Sequence, residues 1–252
     1  MRFSCEKALL QSAVNVTSRA VSSKSSIPAL EGLLLQCSDS LFISGYNMQT
    51  GIRTKLAADI GEEGEIVVNA RLFGDIIRRM PDDIVLFQTE RANIQLSCGD
   101  SSFAIPALSA EDYPELPEVE DQYSFTMPQN VLRSMIGETL FAVSTNEARP
   151  VHTGALFEIG EKELTMVALD GFRLALRREP FTRCDGGMFQ FVAPGSALGE
   201  VEKICSDTED PTTVTLGNRH LLFEVGDTQL ICRRVEGEFL DYKNAIPRKN
   251  PI

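Results

Sequence analysis

The sequence predicts an α+β fold built from two copies of one unit, and three observations support this prediction. Residues near the start of the chain recur in the same order in its second half. Apolar residues follow helical spacing at four places along the chain. The segments between them are short, strand-like and separated by turn residues. Together these patterns predict antiparallel sheets with helices packed on one face.

The internal repeat has a nearly constant offset. Phe3, Ala20-Val21-Ser22, Pro28 and Gly32 match Phe125, Ala142-Val143-Ser144, Pro150 and Gly154, always 122 positions later. Leu41 and Asn47 match Leu164 and Asp170 at an offset of 123, and Gly99-Asp100 matches Gly226-Asp227 at 127. Because small loop insertions shift an offset gradually, the matches indicate a duplicated unit. Each unit is predicted to repeat a strand-helix-three-strand pattern.

The elements of the first unit are predicted from the spacing of apolar residues and from the residues that cap or end helices and strands. Apolar residues from Leu9 to Val21 recur at helical spacing, with Ser4 as the expected N-cap. A second helix is expected from its cap Asn69 to Met80, because a proline follows it. The expected strands span 32–37, 41–47, 51–58, 65–68, 84–88, 92–98 and 102–105. In the second unit, helices are expected at Pro128–Phe141, with proline in the first turn, and at Gly195–Cys205.

A linker is predicted between the units, because Pro106–Asp121 is rich in proline and acidic residues. We therefore expect one domain with its linker at 1–121 and a second domain at 122–246. The two units also end alike, since Asp241-Tyr242 and Ile246-Pro247 echo Asp112-Tyr113 and Leu116-Pro117. Residues 247–252 then read as the start of a linker to a missing third unit.

The composition is that of an ordinary globular protein, with 43% hydrophobic and 24% charged residues. No apolar run approaches the roughly 18–20 residues of a membrane span. The N-terminus becomes charged too early for a signal peptide, so we expect a cytoplasmic protein. The six cysteines are scattered without metal-ligand spacing and are expected to be reduced, mostly buried thiols.

Motifs of catalysis or cofactor binding are not found in the sequence. It has no nucleophile elbow, zinc-protease helix, Walker A loop or dinucleotide fingerprint, and only two histidines, His152 and His220. We expect no enzymatic activity, no cofactor and no metal site. With no tryptophan and 7% aromatic residues, stacking platforms for single-stranded nucleic acid are not indicated either.

The distribution of charge leaves two interpretations open. The net charge of −12 argues against nucleic-acid binding when it is taken alone. However, the second predicted helix presents Arg71, Arg78 and Arg79 against one acid, whereas acidic residues gather at 62–65, at 82–83 and in the linker. Neutral to basic helix faces in an acidic protein suit a surface turned toward DNA. Ordinary solvated helix faces would show the same pattern.

Five segments resemble the bacterial sliding clamp family, the beta subunit of DNA polymerase III. They are SSIPALEGLLLQCSDSLFISGYNMQT, VVNARLFGDIIRRMPD, ALSAEDYPELP, GALFEIGEKELTMVALDGFRLALRR and GEFLDYKNAIPRKNP, and the most specific run is ALDGFRLA. The resemblance covers essentially the whole chain. It implies a DNA clamp fold with antiparallel sheets outside and helices lining the inner face, in which two three-domain subunits close head to tail around DNA. This chain would supply the first two domains.

The resemblance implies a role without catalysis, that of a clamp that encircles duplex DNA and tethers the replicative polymerase for processive synthesis. The expected partners are double-stranded DNA, the alpha subunit of DNA polymerase III, the clamp loader, and other polymerases and repair proteins that carry short linear motifs. A homodimer is expected for the full-length protein. The alternative is a repeat-built β-rich interaction module without a DNA role, which the repeat and the fold alone permit.

The resemblance also implies two sets of site residues. The DNA-contacting loops match Lys24, Asn146 and Arg149, and the basic residues of the inner helices would be Arg71, Arg78, Arg79 and Arg133. The pocket that receives partner peptides matches His152, Leu169, Gly171, Phe172, Arg173, Leu174 and Pro247. Phe172 takes a position often held by histidine and His152 one often held by leucine, which alters the pocket's shape. Leu169 and Leu174 would equally fit a plain strand core. The rest of the pocket would come from the third domain.

Overall fold

The computed structural model describes residues 1–120 and 123–246 and confirms the predicted α+β fold. Within these ranges, the strands of the first half are β1 (Arg2–Glu6), β2 (Gly32–Cys37), β3 (Leu41–Tyr46), β4 (Thr50–Leu56), β5 (Asp59–Glu62), β6 (Gly64–Asn69), β7 (Ile84–Glu90), β8 (Asn93–Cys98) and β9 (Ser101–Pro106). Its helices are α1 (Lys7–Thr17) and α2 (Ala70–Arg79).

The second half repeats this order of elements. Its strands are β10 (Tyr123–Pro128), β11 (Gly154–Ile159), β12 (Glu163–Leu169), β13 (Leu174–Pro180), β14 (Arg183–Asp185), β15 (Phe189–Pro194), β16 (Pro211–Leu216), β17 (His220–Val225) and β18 (Thr228–Arg233). Its helices are α3 (Gln129–Thr139) and α4 (Gly195–Ile204), followed by the short α5 (Tyr242–Ala245).

The helix ends confirm one predicted cap and correct two other expectations. Asn69 caps α2, because its side-chain Oδ1 accepts a hydrogen bond from the backbone N–H of Leu72 at 2.9 Å. The expectation that Ser4 caps the first helix is wrong, since residues 2–6 form β1 and the helix begins at Lys7. Pro128 is the last residue of β10 and precedes α3, so it does not lie in the first helical turn.

The sequence analysis missed β1 and the two short edge strands β5 and β14. β1 is inserted between β5 and β7, while β14 pairs with β10. The strands β5 and β14 are only four and three residues long. Strands this short carry too few alternations to be distinguished from turns, so pairing with a distant partner decides their conformation.

Two glycines of the repeat lie where the backbone is crowded. A Cβ added at Gly32 would lie 2.4 Å from Cγ1 of Val67, and one added at Gly154 would lie 2.3 Å from the carbonyl oxygen of Ala193. Both glycines begin the first central strand of their half. The repeat keeps glycine here because the neighbouring strand leaves no room for a side chain.

The strands of the described residues form three sheets, and one of them crosses the boundary between the halves. Their orders are β5-β1-β7-β8-β9, β14-β10-β16-β17-β18-β4-β3-β2-β6 and β13-β12-β11-β15. Nothing in the sequence indicated that the two halves share a sheet. At their boundary, β18 pairs antiparallel with β4 and joins two four-stranded sheets, extended by β14, into one nine-stranded sheet.

Each half packs its own apolar core, and the junction joins the two. The rings of Phe3 and Phe87 stack with their centroids 4.6 Å apart in the first half, and those of Phe157 and Phe191 at 4.9 Å in the second. Ile52, on β4 of the first half, is fully buried in the core cluster of the second half. Burial of an aliphatic side chain of this size contributes about 1.5–3 kcal/mol, so the halves stabilise each other.

The four long helices lie on the sheets as two packed pairs, and one ion pair connects the pairs. α1 packs against α2, and α3 packs against α4. Arg19, just after α1, forms an ion pair with Glu200 of α4 at 3.3 Å. These contacts place the helices in the order α2, α1, α4, α3.

Candidate functional site

Residues from both predicted site sets meet at one cleft of about 360 Å³. The cleft is lined by Val143, Ser144, Thr145, Asn146, Arg149, His152, Asp170, Phe172 and Arg173. Asn146 and Arg149 belong to the set expected to contact DNA, whereas His152, Phe172 and Arg173 belong to the peptide set. The structure thus brings together the segments 143–152 and 170–173, which lie about twenty positions apart in the sequence.

The turn between β12 and β13 forms one wall of the cleft and is organised by Asp170. Its Oδ1 accepts hydrogen bonds from the backbone N–H groups of Phe172 and Arg173 at 3.0 and 3.2 Å. Its Oδ2 accepts a bond from Nε of Arg173 at 2.9 Å. The bond from the Phe172 backbone N–H and the contact with Arg173 lower the pKa of the Asp170 carboxyl. Sequence analysis did not assign Asp170 a role, although an Asp-Gly pair after a strand is a turn signal.

The same turn presents Phe172 fully to solvent, with 100% of its side chain exposed. Gly171 has a φ of +92°, a conformation that residues with a side chain rarely adopt. Beside the turn, the guanidinium carbon of Arg173 lies 5.7 Å from the ring centre of Phe141, itself 58% exposed. Two exposed aromatic side chains near a cation suit the capture of an apolar side chain from a partner.

The opposite wall is the loop that contains Asn146 and Arg149. Oδ1 of Asn146 accepts a hydrogen bond from the backbone N–H of Ala148 at 2.9 Å, and the backbone N–H of Asn146 donates to Oγ of Ser144 at 3.0 Å. The backbone N–H of Ser144 donates to the carbonyl of His152 at 2.8 Å and closes the base of the loop. The side chain of Arg149 is exposed on this ordered loop.

The apolar members of the peptide set lie at different depths. Leu169 is 3% exposed and packs in a cluster with Leu156, Val167, Val192 and Tyr242. Leu174 is only partly buried against this cluster. Leu169 therefore belongs to a buried cluster, and Leu169, Gly171 and Leu174 do not line the cleft. Pro247 lies outside the described residues.

The basic residues assigned to DNA are all exposed, and one of them is paired. Lys24 lies in the segment after α1, and Arg133 lies on α3. On α2, the guanidinium of Arg78 lies 3.1 Å from Asp75, which neutralises part of the charge of that helix. Among the described residues, no carboxylate lies within 4.0 Å of Arg71, Arg79 or Arg133.

A second groove, of about 500 Å³, was not foreseen from the sequence. It lies between β11, β15 and the segment 234–243. One of its walls is closed by Glu158, whose carboxylate accepts bonds from Oη of Tyr242 at 2.5 Å and from Nζ of Lys243 at 2.6 Å. Burial opposes ionisation of Glu158, but these two bonds outweigh it and lower the pKa of the carboxyl.

The contacts of Glu158 in this groove should depend on pH. Because the folded-state pKa of Glu158 lies below its ordinary value of 4.5, its contacts stabilise the fold above that pH and are lost as the pH falls through the folded-state value. An NMR titration of the Glu158 carboxyl is expected to give a pKa below 4.5, and Lys243→Met is expected to raise it. Lys55→Met, in the first half, serves as the control and should leave the pKa of Glu158 unchanged. A pKa at or above 4.5 in the unmodified chain would contradict the assignment.

The cysteines are free thiols, and five of the six are buried. Burial raises the pKa of Cys5 to about 12 and that of Cys205 to about 11, so these two remain protonated and unreactive at neutral pH. In the described part of the chain, no three histidine, cysteine or acidic side chains are grouped as a metal site. None of the helices described is both long and apolar enough for a membrane span.

Comparison with known proteins gives a consistent result along the chain. Residues 1–117 match the model of the DNA polymerase III beta subunit N-terminal domain, and residues 126–241 match that of its central domain. The beta sliding clamp of Halalkalibacterium halodurans is 32% identical, with 99% of this chain and 69% of that protein covered. That of Bacillus subtilis is 29% identical, with 98% and 68% covered.

Solved structures agree with these matches. The chain superposes on the Bacillus subtilis sliding clamp with a TM-score of 0.94 and 28% identity, covering 99% of this chain and 68% of that one. The sliding clamp of Pseudomonas aeruginosa, solved bound to griselimycin, also gives a TM-score of 0.94, at 26% identity and with the same coverage.

Proposed function

Because this chain belongs to the family of bacterial sliding clamps, the beta subunits of DNA polymerase III, we propose that it encircles duplex DNA and tethers replication and repair proteins to it. The observation that carries this proposal is the order of the four helices on the sheets, where the Arg19–Glu200 ion pair connects two packed helix pairs. A row of helices gives a smooth lining, whereas loops and strand edges would obstruct movement along a duplex. The sheets then form the outer wall.

The charges support weak contact with DNA without reading of its sequence. A protein that slides cannot hold base edges, so it needs screened contacts to phosphates. Arg71 and Arg79 on α2 and Arg133 on α3 supply exposed positive charge on the helix row. Lys24, Asn146 and Arg149 are proposed to contact the backbone from the loops, and Arg78 contributes less because it is paired with Asp75.

The cleft beside the β12–β13 turn is proposed to bind short peptides of the polymerase alpha subunit, the clamp loader and repair proteins. An extended peptide needs apolar anchoring points and a polar rim, which Phe172 and Arg173 provide in this cleft. We assign the chain no catalytic step, no cofactor and no metal, and we place it in the cytoplasm. In this proposal, the tethered replication and repair proteins carry out the chemical reactions.

The proposed organisation is a first clamp domain at 1–121, a second at 122–246 and, at 247–252, the start of a linker to a third. The chain spans 69% of the length of the Halalkalibacterium relative. A homodimeric ring is proposed for the full-length protein.

Duplex binding tests the proposal. Affinity for a labelled duplex is expected to be weak, independent of sequence and strongly reduced by salt, because phosphate contacts release counterions. Replacing Arg71, Arg79 and Arg133 together by alanine should weaken binding and lower the salt slope by about one for each lost phosphate contact. Arg183→Ala, which removes an exposed arginine of β14 paired with Asp185, is the control.

The alternative, an interaction module without a DNA role, predicts no duplex binding at any salt concentration. Retention on circular DNA distinguishes an encircling protein from an ordinary binder. A closed ring stays on circular DNA and slides off when the circle is cut. An ordinary DNA-binding protein shows no such dependence on free ends. Equal retention on both forms would contradict the encircling role.

A further inference from the structure

The turn that presents Phe172 occurs twice in the chain, once in each copy of the repeat. In the first half, Oδ1 of Asn47 accepts hydrogen bonds from the backbone N–H groups of Gln49 and Thr50 at 3.0 and 2.8 Å. The backbone N–H of Asn47 donates to the carbonyl of Thr50 at 3.2 Å. Asp170, the equivalent of Asn47, makes the same three kinds of bond in the second half. The two halves therefore build one turn with two different side chains, an amide and a carboxylate.

The backbone of the two turns is also alike. The second residue of each turn has a positive φ, +70° at Met48 and +92° at Gly171. Because an amide oxygen and a carboxylate oxygen both accept bonds from backbone N–H groups, the turn itself needs no negative charge. Asn47 demonstrates this, since it closes the first turn without one. The charge of Asp170 therefore serves a contact outside the backbone pattern that the two turns share.

That contact is with Arg173, whose equivalent in the first half is Thr50. Oδ2 of Asp170, the oxygen that the turn does not use, accepts the bond from Nε of Arg173 at 2.9 Å. The guanidinium is thereby held beside the ring of Phe141, 5.7 Å from its centre. Its two terminal nitrogens bond no other described residue, so their N–H groups are available to a carbonyl or carboxylate of a peptide in the cleft.

The two side chains differ in how firmly the fold holds them. The side chain of Arg173 is 55% exposed, whereas that of Asp170 is 18% exposed. Asp170 is also anchored by the two backbone bonds at its Oδ1, so it is a fixed point of attachment for the longer side chain. A peptide that meets an arginine already held in place avoids the entropy cost of ordering it.

We propose that Asp170 is a positioning residue of the peptide cleft, whose carboxylate orders Arg173 before a partner peptide binds. This inference rests on the proposed function of the cleft. One oxygen of Asp170 shapes the turn and the other orients the guanidinium, so a substitution can separate the two roles. Asparagine keeps the first role, as Asn47 does, and loses the second, because its amide N–H₂ group cannot accept a bond from Nε.

A double-mutant cycle on peptide affinity tests the proposal, with a labelled polymerase alpha-subunit peptide as the probe. Asp170→Asn is expected to weaken binding by about 2- to 10-fold, the usual cost of ordering one long side chain. In an Arg173→Ala background it should have no further effect. Its midpoint of urea unfolding should equal that of the unmodified chain, because the amide keeps the turn. Asp75→Asn is the matched control, since it breaks an exposed ion pair of the same spacing on α2 and should leave affinity unchanged.

Two results of this cycle would overturn the proposal. One is an Asp170→Asn variant that binds the peptide as tightly as the unmodified chain does. The other is an equal loss of affinity in both backgrounds, because Asp170 would then act without Arg173.

A second measurement needs no peptide. By NMR on the isotope-labelled chain, the Nε–H of Arg173 is expected to exchange with water more slowly in the unmodified chain than in Asp170→Asn, because Oδ2 protects it. Asn47→Ala, which removes the equivalent bonds of the first turn, should change neither this exchange nor peptide affinity. Equal exchange in the unmodified chain and Asp170→Asn overturns the proposal. Slow exchange without any peptide binding supports the ordering of Arg173 and contradicts the proposed function of the cleft instead.

Discussion

Replacing Phe172 by alanine is expected to weaken the binding of a partner peptide by about 30-fold, or about 2 kcal/mol. Phe172 is fully exposed at the tip of the β12–β13 turn, so its ring is free to cover an apolar side chain of the peptide. The same exposure means that the fold gains nothing measurable from this ring. The free energy of unfolding should change by less than about 0.5 kcal/mol.

Fluorescence anisotropy with a labelled synthetic peptide from a DNA polymerase III alpha subunit measures this effect. Arg173→Ala should also reduce affinity, because Arg173 both lines the cleft and bonds Asp170. Met188→Ala is the matched control, since Met188 is a large apolar residue, 70% exposed, that does not line the cleft. Unchanged affinity of the Phe172 variant, or no binding by the unmodified chain, would contradict the assignment of the cleft.

Ile52→Ala is expected to lower the free energy of unfolding by about 2–4 kcal/mol. Ile52 is fully buried, and it lies on a strand of the first half while packing in the core of the second. The substitution leaves a cavity at the β18–β4 junction, so both halves lose stabilisation at once. Hydrogen exchange should therefore become faster in β4 and β18 before it does in β7 and β8, which belong to another sheet.

Urea unfolding with Ile84→Ala as the control separates this effect from the loss of any isoleucine. Ile84 is also on a strand but is 45% exposed, so its replacement should cost less than about 1 kcal/mol. If both variants lose the same stability, the junction is not an important contact between the halves.

The repeat and the helix positions were accessible to sequence reasoning because each depends on local patterns. Asn69 illustrates this: an N-cap acts on a backbone donor two or three residues later, and the predicted cap Asn69 accepts such a bond from Leu72. β1 shows the limit of such reasoning. Its residues sit beside a helical pattern, and only pairing with β7 and β5 makes them a strand instead of the first helical turn.

The candidate site was predictable as two lists of residues but not as one place. Resemblance to the clamp family supplied Asn146, Arg149, His152, Phe172 and Arg173. It did not indicate that they line a single cleft, nor that Asp170 holds the turn that presents Phe172. The groove closed by Glu158 had no local signal at all, because its partners lie 84 and 85 positions away.

The sequence by itself determined that the chain is a duplicated α+β unit, because repeats, helical spacing and turn residues are local patterns. Its resemblance to the clamp family came from five segments of the sequence. Only the tertiary structure decided that the halves share a nine-stranded sheet and that Ile52 fills its neighbour's core. The physical reason is that a strand edge carries the same backbone donors and acceptors whatever its side chains are. Which edge it meets depends on how the whole chain packs.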